Sequence, residues 1–133
     1  MTQNYTPEQI AVYNAVKTLQ DACYGAANAS GWWTTKDGTS VKDNPLKFSN
    51  SIALIHSEVS ESLEADRKDL NDDHLTHRKG REVELGDALI RICDTAGGFD
   101  MDLAGAVVEK MQYNAQRLDH KKAARSEANG KAY

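Results

Sequence analysis

Residues 52–96 read IALIHSEVSESLEADRKDLNDDHLTHRKGREVELGDALIRICDTA, and the spacing of their apolar positions decides the fold. Ile52, Ile55, Val59 and Leu63, with Phe48 before them, recur at the three-to-four-residue interval of one helix face. A charged, turn-rich run from Asp66 to Asp73 interrupts that period. It resumes in Leu85, Leu89, Ile92 and Ala96 and stops at Gly97-Gly98. Strict alternation, the mark of a half-buried strand, is nowhere sustained. The stretch therefore predicts two helices, over about 45–69 and 78–96, each turning its apolar stripe to a core.

The flanking sequence repeats this pattern. Thr6, Pro7 and Gln9 form an N-cap, a first-turn proline and a capping-box partner, and Val12, Val16, Leu19, Cys23 and Ala26 follow at helical spacing. A first helix over 7–29 results, ended by Ser30-Gly31. The segment through Trp32, Trp33 and Asp37-Gly38 has the composition of a long loop, and Asn44-Pro45 can cap the second helix. Asp102 can cap a fourth, over 102–121, with Ala104, Val107, Met111 and Leu118 facing inward and a tail over 122–133 expected to be flexible. The fold class is all-α, an antiparallel four-helix bundle in a single domain over 1–133.

Composition narrows the function classes. With 40% hydrophobic and 27% charged residues and a net charge of −4, the chain has no electrostatic reason to bind a nucleic-acid polymer. It has no apolar run near the ~18 residues of a bilayer span and no signal-peptide pattern, so no membrane partner and a cytoplasmic location are expected. Cys23 and Cys93 make neither a disulfide framework nor a zinc pattern, and both read as buried thiols.

The acidic residues demand more explanation. Glu58 and Glu61 lie on one side of their helix at the border of the apolar stripe, where like charges repel, and neither has a Lys or Arg three or four positions away; Glu64 does, in Lys68. Glu84 and Asp87 repeat the arrangement on the next helix, with Arg81 and Arg91 spaced to neutralise them. If the helices pack together, four carboxylates converge and require a counter-charge. Oxygen-only ligands suit Mg²⁺ or Mn²⁺ rather than zinc. A di-iron carboxylate bundle would need Glu-x-x-His, yet none of His56, His74, His77 or His120 has a glutamate three residues before it. On the fourth helix Lys110, Asn114 and Arg117 share a face, two cations flanking an amide that suit phosphate oxygens; an ion-pair network with nearby carboxylates is the structural alternative.

Together these residues resemble the MazG-like members of the all-α nucleoside triphosphate pyrophosphohydrolase superfamily. Glu58-Val-Ser-Glu61 is similar to its Glu-x-x-Glu, Glu84-Leu-Gly-Asp87, 22 residues on, to its Glu-x-x-Asp, and Lys110 to Arg117 to its Lys/Asn/Arg segment. The resemblance spans about 52–117, with weaker similarity around Gly31-Trp32-Trp33. It implies a four-helix catalytic core assembled into homodimers or homotetramers. Glu58, Glu61, Glu84 and Asp87 would hold two or three Mg²⁺ ions, for which Mn²⁺ can substitute, and Lys110, Asn114 and Arg117 would grip phosphate. Asp94, Arg91 and Tyr113 are candidates to support these groups.

The implied reaction is hydrolysis of a (deoxy)nucleoside triphosphate between the α and β phosphates, with Glu61 or Glu58 accepting the proton of the attacking water. Base recognition would fall to Asn14, Lys17 and Asp21 of the first helix and to Trp32 and Trp33, an indole being able to stack on any base. Short phage-encoded members of the family prefer guanine, which makes (d)GTP the first candidate. Phosphoribosyl-ATP as substrate, and a non-catalytic helical module that binds a metal or a partner, are the alternatives.

Overall fold

The computed structural model describes residues 4–117, 119 and 121–130. Helix α1 spans Pro7–Ala29, α2 Lys47–Arg67, α3 Gly80–Gly98, α4 Leu103–Gln116, and a short α5 Lys122–Arg125; a single 3-10 turn, Val41–Asp43, lies in the loop between α1 and α2. Among the described residues there is no strand, only the isolated bridges Thr34–Ser40 and Asn71–Lys79, and no helix is long and apolar enough to cross a membrane. The protein is all-α.

The caps follow the sequence closely. Thr6 N–H donates to Gln9 Oε1 at 2.8 Å and Gln9 N–H to Thr6 Oγ1 at 3.3 Å, a reciprocal capping box. Asp102 Oδ1 accepts from Gly105 N–H at 2.9 Å and opens α4. Asn44 Oδ1 accepts from Leu46 N–H at 2.9 Å, ahead of α2. Helix α4 stops at Gln116 rather than near 121, because Arg117 is extended (φ −66, ψ 122) and its Nε and Nη2 clamp Asp119 at 3.0 and 2.6 Å. Leu118 and His120 lie outside the described residues.

The chain divides into two compact units. One comprises the residues up to Lys17 with those from Asp102 onward, where Ala104 and Val108 are buried, Val107 is half-buried and Met111 is exposed. The other, Thr18–Met101, holds most of the buried side chains, and in it α2 and α3 pack most extensively against each other.

The α2–α3 contact corrects the expected core. The residues α2 buries are Ser51, Glu58, Ser62 and Ala65, and those α3 buries are Gly80, Ala88, Cys93, Thr95, Ala96 and Gly98. Small side chains let the helices approach closely: a Cβ on Gly80 would meet Ala65 Cβ at 3.0 Å, and Ser62 Oγ donates to Arg81 O at 2.8 Å across the pair. Ala96 is buried as expected, but most of the apolar stripe read as core faces outward. Phe48, Ile52, Val59, Leu63, Leu85 and Leu89 are all exposed, Leu63 at 62%, while Ile55 and Ile92 are half-buried. Periodicity located the stripe correctly but could not show what covers it.

At the other end of this unit Trp33, 6% exposed, forms the centre of an aromatic cluster. Its ring meets Tyr24 and Phe99 edge-on at 5.7 Å each, Phe48 meets Phe99 at 5.3 Å, and Lys47 Nζ sits 4.9 Å from its centroid. The indole lies where a side chain at position 98 would project, so the close approach requires Gly98.

Candidate metal centre

Helices α2 and α3 bring three of the four expected carboxylates together. One oxygen each from Glu58, Glu84 and Asp87 lies within 4.8 Å of the others. Glu58 is 8% exposed, Glu84 half-buried and Asp87 exposed, so the cluster runs from the helix interface to the surface. Burial first, then the hydrogen bond to Glu58 and the charges of Glu61, Glu58 and Asp87, push the Glu84 carboxyl up to about 7. Glu61 is exposed and stands outside the group of three, but its charge reaches Glu84. This donor set fits a hard divalent cation: all oxygens are carboxylate, and a bound cation would relieve the repulsion among them.

Glu58, which has no basic residue at helical spacing on α2, finds one on α3. Arg91 Nε donates to Glu58 Oε1 at 2.5 Å, with the Glu58 side chain 10% exposed and that of Arg91 43%. Intrahelical spacing paired Arg91 with Asp87 and could not register a partner on another helix. Arg81 likewise turns away from Glu84 and binds Asp66 at 2.5 Å. Asp94, a candidate to support these groups, accepts from Trp33 Nε1 at 2.7 Å.

Glu58, Asp87, Arg91 and Asp94 line a cleft of about 1020 Å³, together with Lys47, Trp32 and Trp33. Comparison with protein families, curated proteins and solved structures finds no match. The geometry of this cleft therefore carries the functional argument. The lining also includes apolar groups, among them Leu19, Ala22, Ala26 and Leu54. Such a lining can hold both charge and an apolar body.

The remaining expected residues are distributed as follows. Trp32 and Trp33 both line the cleft; Trp32, 72% exposed, is open for stacking, while Trp33 is 6% exposed and donates to Asp94. Asp21 belongs to the same unit and is exposed, outside the cleft lining; Asn14 and Lys17 are exposed and belong to the other unit. Lys110, Asn114, Arg117 and Tyr113 are also in that unit. There the two cations flank Tyr113, Lys110 Nζ 4.7 Å and Arg117 Cζ 5.9 Å from its ring centroid, and Asn114 Oδ1 is buried without a hydrogen-bond partner among the described residues. Cys93 is buried as expected, but Cys23 is only half-buried and lines the cleft; the two thiols hydrogen-bond each other, and burial pushes both upward. Lys47 escaped the sequence reading, and only its place at the mouth of α2 beside the tryptophan loop hinted at it.

Proposed function

We propose that the protein is a Mg²⁺-dependent hydrolase that cuts a (deoxy)nucleoside triphosphate between its α and β phosphates, with (d)GTP the first substrate to test. The observation that carries this reading is the meeting of Glu58, Glu84 and Asp87 across two helices, where burial first and then the acidic neighbours push the Glu84 carboxyl up to about 7. The order and spacing of the two acidic motifs support it independently.

Glu58, Glu84 and Asp87 would hold the cation, with Glu61 joining them by rotation from the surface. Bound magnesium would supply the Lewis acidity that neutralises charge on the phosphate oxygens and the departing pyrophosphate. Glu61 or Glu58 accepts the proton from the attacking water, which lies in line with the leaving oxygen. Trp32 and the apolar lining stack on and enclose the base. Lys110, Asn114 and Arg117 are proposed as phosphate contacts on the strength of the resemblance alone.

The exposed stripe on α2 and α3 supports a homo-oligomer, in which a second copy covers Ile52, Val59, Leu63, Leu85 and Leu89 and completes a four-helix bundle. Pyrophosphate release from a panel of ribo- and deoxynucleoside triphosphates, with Mg²⁺ and with EDTA, tests the activity. Equal amounts of nucleoside monophosphate and pyrophosphate, formed only with metal, are expected; a panel left intact in Mg²⁺ and Mn²⁺ would overturn the reading.

A further inference from the structure

Arg91 has two carboxylates at helical spacing on its own helix, Asp87 one turn before it and Asp94 three residues after, yet its Nε reaches across to Glu58. The choice follows from burial. Glu58 is the most enclosed member of an acidic cluster, and an ionised carboxylate there is costly without a cation in contact. Arg91 supplies a single positive charge from the α3 side, with 43% of its side chain open to the cleft.

A divalent ion ligated by the same cluster would bring twice that charge to the same oxygens. Guanidinium and dication then compete for Glu58 and repel each other. Released, the guanidinium is already on the cleft wall, and its planar fork of donors matches phosphate oxygens. Resting on the reading of the cluster as a metal centre, we propose that Arg91 is the built-in counter-ion of the metal-free site. The metal displaces it from Glu58, and it then grips an anionic phosphate group in the cleft. Metal loading and phosphate binding would thus be coupled through one side chain.

The test is calorimetric titration of the full chain, first with Mg²⁺ alone and then with inorganic pyrophosphate at saturating Mg²⁺. Removing the competitor in Arg91→Gln should tighten Mg²⁺ binding, by about threefold or more, and weaken pyrophosphate by about tenfold or more. Opposite shifts are the signature, since a merely structural role would weaken both. Arg91→Lys, which keeps the charge and loses the fork, should leave Mg²⁺ affinity near wild type and weaken pyrophosphate, and serves if the glutamine variant folds poorly. Weaker or unchanged Mg²⁺ binding in Arg91→Gln, or unchanged pyrophosphate binding, overturns the exchange. If the wild-type chain binds no Mg²⁺, the metal-centre reading falls and takes this proposal with it; wild-type Mg²⁺ binding that Arg91→Gln leaves unaltered overturns the exchange alone.

Discussion

Replacing Glu84 with glutamine should stabilise the metal-free protein while abolishing its stabilisation by Mg²⁺. A carboxyl held at about 7 rather than 4.5 binds a proton in the folded chain that the unfolded chain has already lost. Its contribution to stability is therefore fully present below about pH 4.5 and is lost as pH rises through about 7. At about 1.4 kcal/mol per pH unit the ceiling is about 3 kcal/mol, and solvent screening at a half-buried position brings the expectation to about 1–2 kcal/mol. Thermal melts in EDTA at pH 5, 6, 7 and 8 should show wild type and variant diverging, the variant melting about 3 °C or more higher at pH 8 and nearly level at pH 5. Adding millimolar Mg²⁺ at pH 8 should raise the wild type and leave the variant where it was. A variant less stable than wild type at pH 8 in EDTA, or a gap that does not widen with pH, would refute the reasoning.

Further outcomes follow from the same geometry. Because Mg²⁺ must displace the proton on Glu84, its affinity by calorimetry should be about tenfold weaker at pH 6 than at pH 8, and a flat profile would remove Glu84 from the ligands. Glu61→Gln should retain the helical circular dichroism spectrum and lose most pyrophosphate-releasing turnover; near-normal activity would rule out an essential role for that carboxylate. Leu63→Glu combined with Leu89→Glu should lower the mass measured by light scattering to that of one chain, and a mass unchanged from wild type would place the contact between copies elsewhere. Gly98→Ala should cost about 1–3 kcal/mol in a denaturant melt, since the new methyl displaces the Trp33 ring, and a neutral result would contradict that packing.

The parts of the molecule legible in its sequence are those governed by neighbours along the chain. The Thr6–Gln9 capping box, the Asp102 cap and the breaks after Ala29 and Gly98 all depend on residues within a few positions. The meeting of Glu58 with Glu84 and Asp87 could also be anticipated, because helical spacing sets each motif on one face and a short connection makes the helices neighbours. Partners on other helices could not. Arg91 reads as the neutraliser of Asp87 until α2 is placed beside it, and Asp94 has no sequence signal for Trp33, 61 residues away.

The misread core has a similar cause. Ser51, Ser62 and Ala65 contribute little to a hydrophobic stripe, yet these are residues over which α2 is buried, because small side chains allow close helix approach. The larger residues that set the period, Val59 and Leu63 above all, stay open in the single chain. A periodic stripe marks an apolar face of a helix and does not by itself say whether the fold buries it.

The proposed activity requires one divalent ion shared by carboxylates of α2 and α3. Electron paramagnetic resonance of Mn²⁺, titrated into the wild type and into a triple variant with Glu58→Gln, Glu84→Gln and Asp87→Asn, tests this most directly. Saturable loss of the free-ion signal in the wild type and none in the folded triple variant is the predicted result. Equal binding by both, or by neither, would contradict it.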